Sequence, residues 1–218
     1  MKTPITPARL REHLSYSWWK YLLAAAGCCL LWNLVFAVTA PQVPEDRKLD
    51  VYFYAYGNAE AAQAWFDGVR EKEFPDQKIS VEFILPDDAY GSMALTARVF
   101  AGEGDLMILP RSVFQTYSGE GLFIPLEEMP DIPAACEAAG VNLERGWRMN
   151  TDEGVRHLYG IPLAGLDTLR SWIAADSDCY LSIRVRNGND ENAAALLRTI
   201  LREMLPALIP GEQITLPD

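Results

Sequence analysis

The sequence predicts a mixed α/β domain with a mainly parallel sheet flanked by helices, preceded by a single transmembrane helix. Three observations carry this reading. Tyr21 to Ala40 is a run of 20 residues whose only polar side chains are Asn33 and Thr39. From Leu49 to Leu126 the apolar residues switch between alternation and helical spacing, in the order strand, helix, strand, helix, strand, helix. That order favours parallel strands joined by helical crossovers. Leu106 to Leu109 is continuously apolar between a Gly/Asp turn and Pro110, as expected of a strand covered on both faces.

Four domains follow: a basic segment 1–20, a span 21–40, a linker 41–48 and an α/β domain 49–218. The first segment carries Lys2, Arg9, Arg11 and Lys20 against Glu12 alone. Twenty helical residues reach about 30 Å, the thickness of a hydrocarbon core. Trp18, Trp19 and Tyr21 suit the interface, and the basic flank places the N-terminus in the cytoplasm and the C-terminal domain outside the cell membrane. Two other fates stay open. Val38-Thr39-Ala40 offers small residues for signal cleavage, although Pro41 disfavours the cut. Ala25-Ala26-Gly27-Cys28 is similar to a lipid-attachment box, although the apolar run continues well past it. Pro41 to Lys48, with two prolines and mixed charges, reads as a stiff solvated linker.

Leu49 to Tyr56 alternates and reads as a strand. Asn58 is placed to cap a helix with the stripe Ala62, Trp65, Phe66 and Val69. Lys78 to Leu85 is a second alternating strand, Pro86-Asp87-Asp88 a turn and Ala89 to Ala101 a helix. After Leu106 to Leu109, Ser112 is expected to cap a helix carrying Val113, Phe114 and Tyr117, which Gly119 and Gly121 stop. Leu122 to Leu126 is extended. A short helix is expected around Ala134 to Ala139. Trp147 to Tyr159 reads as a hairpin about a polar turn. Cys179 to Val185 is a strand, and Asp190 to Leu205 a helix with Leu196, Leu197, Ile200, Leu201, Met204 and Leu205 on one face. The tail 209–218 has no evident element.

The stretch Gly102-Glu-Gly-Asp-Leu-Met-Ile-Leu-Pro110, followed by Ser118-Gly-Glu-Gly-Leu-Phe-Ile-Pro-Leu-Glu-Glu128, resembles the extracellular solute-binding proteins of ABC importers, of the sugar-binding type. The element order from Leu49 to Leu126 is similar to that family's first lobe. Tyr159-Gly160-Ile161-Pro162 resembles its first crossing between lobes, and Cys179 to Leu205 its return strand and helix. The resemblance implies a solute-binding fold reduced to one lobe, because only Ala164 to Ser177 stands where the family has a second. The apolar span makes the membrane a partner, and the resemblance implies a small solute such as a sugar and an ABC importer permease or another membrane protein.

Composition narrows the function. Of 19 Lys+Arg and 30 Asp+Glu, four and one lie in the first 40 residues, leaving 15 and 29 and a net charge of −14. So acidic a domain is a poor partner for nucleic acid. No phosphate loop, nucleophile elbow or His-Glu-x-x-His occurs, and the expectation is a protein without catalysis or cofactor. His157, alone in the hairpin, is expected to face solvent. Asn187 to Asn192 is oxygen-rich, but a turn and helix cap account for it. Cys28 and Cys29 read as apolar filler. Cys136 and Cys179 are either a disulfide or two buried thiols.

Ligands of open α/β sheets lie beyond the carboxyl ends of the strands. The candidate ligand-binding residues there are Tyr56, Asn58, Asp88, Tyr90 and Arg111. An aromatic face can stack on a sugar ring, and the polar groups can bond hydroxyls. The alternative from another class is a membrane-tethered interaction or sensory module that docks a partner protein through the former cleft surface.

Overall fold

Which way each strand's side chains point decides how this domain is layered. The computed structural model describes residues 7–39, 44, 47–86, 88–174, 178–185 and 188–205. The backbone divides into two units, Met1–Gln42 and Val43–Asp218.

The first unit is α1, Pro7–Thr39, an unbroken helix of 33 residues. It begins well before the expected span, because nothing between Pro7 and Lys20 breaks a helix. Trp18–Ala37 is long and apolar enough to cross a membrane. Two of its polar side chains bond within the helix: Asn33 Nδ2 donates to the Cys29 carbonyl at 3.0 Å, and Thr39 Oγ1 to the Val35 carbonyl at 2.6 Å. Cys28 and Cys29 lie exposed on it.

The second unit holds a five-stranded sheet of order β2-β1-β3-β7-β6. Its strands are β1 (Lys48–Phe53), β2 (Lys78–Phe83), β3 (Leu106–Pro110), β6 (Ile161–Pro162) and β7 (Cys179–Ile183). β1 pairs parallel with β2 and β3, while β7 runs antiparallel between β3 and β6. Four strands therefore share one direction, and the sheet is mostly parallel. β4 (Trp147–Met149) and β5 (Arg156–Leu158) form the expected hairpin.

Alternation sends successive residues to opposite sides. Leu49, Val51, Phe53, Ile108 and Leu181 meet α2 (Ala59–Glu73), α5 (Asp131–Ala138), α6 (Asp167–Ser171) and α7 (Asp190–Met204) in the larger core. Tyr52, Tyr54, Met107, Leu109 and Tyr180 meet α3 (Asp88–Ala101) and α4 (Arg111–Gly119) on the other side. The edge strand β2 is blunted by Gln63, whose Oε1 accepts from Val81 N and whose Nε2 donates to the Ile79 carbonyl.

Two local expectations change. Ser112 does not cap α4; the helix starts at Arg111 directly after Pro110, whose extended backbone ends β3. Asn189 stands at the cap of α7 but makes no side-chain cap bond, its amide reaching instead to Asp105 and the Lys48 carbonyl. Of the two alternatives for Cys136 and Cys179, the structure shows buried thiols with no disulfide between them, and burial pushes Cys136 up to about 12. Asp87, Asn187 and the tail 209–218 lie outside the described residues.

Candidate functional site

The register of the sheet sets the row of residues along its carboxyl edge. Val51 lies opposite Leu106 in β1 and β3, and Leu106 opposite Ile183 in β3 and β7. Continued past the strand ends, these offsets bring Tyr56 level with Arg111, and Arg111 level with Asp178. The backbone agrees, since Arg111 N donates to the Asp178 carbonyl at 2.8 Å. The β6 register brings Ala164 level with Asp178 in turn.

Beside this row is a cleft of about 330 Å³ lined by Asn142, Arg145, Pro162, Ala164 and Asp178, among others. Arg145 belongs to the 3₁₀ turn Leu143–Gly146, which Asn142 caps by accepting from Glu144 N at 2.9 Å. The Asp178 carboxylate lies 3.7 Å from the Arg145 guanidinium and 4.0 Å from that of Arg111. All three side chains are substantially exposed, so their charges are screened and mobile rather than locked. Next to them, Tyr180 is buried, and burial holds its phenol above the usual range, with Asp178 adding to the shift.

The candidate residues fall in different places. Arg111 joins the cleft through Asp178. Tyr56 is exposed beyond the end of β1, its carbonyl accepting from Ala174 N at 2.9 Å. Asn58 has a structural task, accepting from Ala61 N at 3.0 Å to cap α2. Asp88 begins α3. Tyr90 stands exposed on α3. Sequence reasoning missed Asp178 and Arg145. It looked beyond the carboxyl ends of parallel strands, whereas β7 is antiparallel and presents its amino end at that edge.

The platform under the row is tightly packed. Asn58 N donates to the Trp172 carbonyl at 2.8 Å. A Cβ on Gly57 would come within 2.2 Å of that carbonyl oxygen and 2.4 Å of the Phe83 ring. Phe53 stacks on Phe83 with centroids 4.5 Å apart, and Trp172 packs against Phe53, Trp65 and Phe66.

His157 does not face solvent freely. Its Nδ1 is 2.6 Å from Glu127 Oε1 and its Nε2 3.3 Å from Glu153 Oε2, while Glu127 Oε2 accepts from Leu158 N. The hydrogen bond to Glu127 raises its pKa against the opposing effect of burial. The group ties the hairpin to the 3₁₀ turn Leu126–Glu128. Among the described residues, no cluster of three or more His, Cys, Asp or Glu is arranged to hold a metal. The cleft offers donors, acceptors and balanced charge: chemistry for holding polar groups.

No family model matches the chain, and no curated protein matches it in sequence. Solved structures match about half of it. An extracellular solute-binding protein of family 1 from Alicyclobacillus acidocaldarius is 24% identical over 53% of this chain and 27% of its own, with a TM-score of 0.34. An ABC substrate-binding protein from Listeria monocytogenes, in complex with cycloalternan, is 16% identical over 52% and 28%, at 0.40. An ABC transporter solute-binding protein from Agrobacterium vitis with bound D-mannitol is 18% identical over 53% and 27%, at 0.37. De novo designed esterases also match over a similar part of the chain. This chain spans little more than a quarter of the length of these structures. Likeness of this size places no ligand and no partner on this chain.

Proposed function

We propose that this chain is a membrane-anchored, extracellular solute-recognition protein that binds a small polar solute of sugar type for an ABC importer. In this reading α1 crosses the membrane with 1–20 on the cytoplasmic side, 41–48 is the linker and 49–218 is the outer domain. The supporting observation is the carboxyl-edge row: Tyr56, Arg111, Asp178 and the cleft that Asp178 shares with Arg145 and Asn142. A sugar needs planar groups that donate and accept at once. The Asp178 carboxylate accepts from hydroxyls, Arg145 and Arg111 donate, and the exposed Tyr56 ring offers a stacking face. The ionisable groups lining the cleft, Arg145 and Asp178, pair with each other. They form no nucleophile–base pair, so the role is recognition without catalysis. The resemblance of 102–128 to solute-binding proteins supports the same reading.

A single lobe covers one side of its ligand, so binding is weak and fast unless a partner supplies the other wall. That favours a second reading, in which a partner protein docks on this edge. The exposure of Tyr56 and Leu85 near the carboxyl ends of β1 and β2 supports it.

The test is a thermal-shift titration of the full chain in detergent against mono- and oligosaccharides, amino acids and divalent cations. A saccharide should raise the melting temperature with dose, and the rise should vanish in Asp178→Ala and Arg145→Ala. A folded chain indifferent to every saccharide would sink the solute reading and leave the docking one.

A further inference from the structure

Helix α3 has two apolar faces, and the sheet uses one. Leu95 and Val99 are buried against it, and Gly91 sits so close to the preceding loop that a Cβ there would meet the Leu85 carbonyl oxygen at 2.0 Å. The opposite face is exposed. Tyr90 is 80% exposed, Met93 66% and Phe100 86%, and Ala94, Ala97 and Ala101 are exposed between them. At about 100° per residue these six form one stripe, roughly 120° wide and centred on Ala97. A contiguous exposed apolar stripe of this kind is the signature of an interaction surface.

The stripe is also uncharged. Arg98 is the charged residue among the described side chains of α3, and it is engaged elsewhere. Its guanidinium lies 2.5 Å from Glu82, 3.7 Å from Glu103 and 5.0 Å from the centre of the Tyr52 ring. The rest of the domain is strongly acidic, so two copies repel one another over most of their surfaces. The α3 stripe is where that repulsion is absent.

The order of large and small residues suits a second copy. A two-fold axis midway between Ala94 and Ala97 runs the two helices antiparallel. It sets Ala94 opposite Ala97 of the second copy and Tyr90 opposite Ala101. Small residues then meet at the centre, allowing helix axes to approach within about 8 Å. Each bulky tyrosine lies over an alanine. Met93 and Phe100 of both copies close the same side of the seam. We infer that this chain pairs with itself through the outer face of α3, in an isologous, antiparallel helix contact. The inference goes beyond the solute reading and does not depend on it.

The mass of the full chain in detergent, by light scattering across a dilution series, tests the pairing. The native chain should be a dimer. Ala97→Glu, which puts a charge at the centre of the seam on an exposed position, should be a folded monomer. Phe100→Ser should weaken the dimer at least about tenfold. The off-stripe control Glu137→Gln should pair like the native chain. In a chain also carrying Cys28→Ala and Cys29→Ala, copies with Ala94→Cys should form disulfides with copies carrying Ala97→Cys. A native chain that stays monomeric overturns the inference. So does a dimer that Ala97→Glu leaves intact, which would mean association through α1 or another face.

Discussion

At the amino end of β3, Asp105 is 4% exposed, and its carboxylate accepts from Asp50 N at 2.6 Å and from Asn189 Nδ2 at 3.2 Å. At the carboxyl end of the same strand, Arg111 is half exposed and faces Asp178 across 4.0 Å. Both ends use Asp, Asn and Arg, and burial decides what those residues do. At the closed end the polar groups are taken from water and need protein partners, so Asp105 and Asn189 lock β1, β3 and the start of α7 together. Arg184 lies there too. Its Nη2 donates to the Val99 carbonyl at 2.9 Å, while Nε and Nη1 find no hydrogen-bond partner among the described residues. Burial lowers its pKa, and Asp105 acts against that shift. At the open end the ions stay exposed to water and hold one another loosely.

The largest effect expected from this contrast is on Asp105. Asp105→Ala strips the acceptor from a part-buried backbone N–H and a buried amide, and leaves Arg184 uncompensated. The expected loss is about 3 kcal/mol of unfolding free energy, read from the urea midpoint. A loss under about 1 kcal/mol would mean that the closed end is not held by its polar network.

A second change asks whether the open end is soft throughout. Gly57 follows Tyr56 in the exposed row, and its Cα side is pressed against Trp172 and Phe83. Gly57→Ala forces backbone or an aromatic ring to move, at an expected cost of about 2 kcal/mol by the same measurement. That would make the open edge a rigid aromatic platform carrying mobile charges. A neutral Gly57→Ala would make the platform itself adaptable.

Legibility followed the same division. β1, α2, β2 and α3 could be read because each carries its own period, β3 because its apolar run is unbroken, and the hairpin because its turn is polar. The short α6 and the 3₁₀ turns carry too few residues for a period to show. Strand direction has no local code: Cys179 to Ile183 spells a buried strand either way, and its antiparallel pairing with β3 arises from tertiary packing. That one unreadable fact hid Asp178, and with it Arg145. The partner of His157 was hidden by distance, since Glu127 lies 30 residues away. Of the candidate residues, Asn58 was legible as a cap and Arg111 as a strand-end cation. What Arg111 would face was not.

The smallest expected effect lies at the open end itself. Asp178→Ala removes a carboxylate that faces two arginines, which by count alone looks like a larger loss than at Asp105. The geometry argues otherwise. Both pairs are long, at 3.7 and 4.0 Å, and the carboxylate is 45% exposed, so water replaces most of what is lost. The bond from Arg111 N to the Asp178 backbone carbonyl does not depend on the side chain and should survive. The expected change in unfolding free energy is about 0.5 kcal/mol or less. A cost comparable to that of Asp105→Ala would make the Arg111–Asp178–Arg145 group a structural brace and erase the contrast between the two ends. A near-neutral result would leave three charged side chains at the edge of a rigid sheet with no share in its stability. Residues that the fold does not need for its stability are available for recognition.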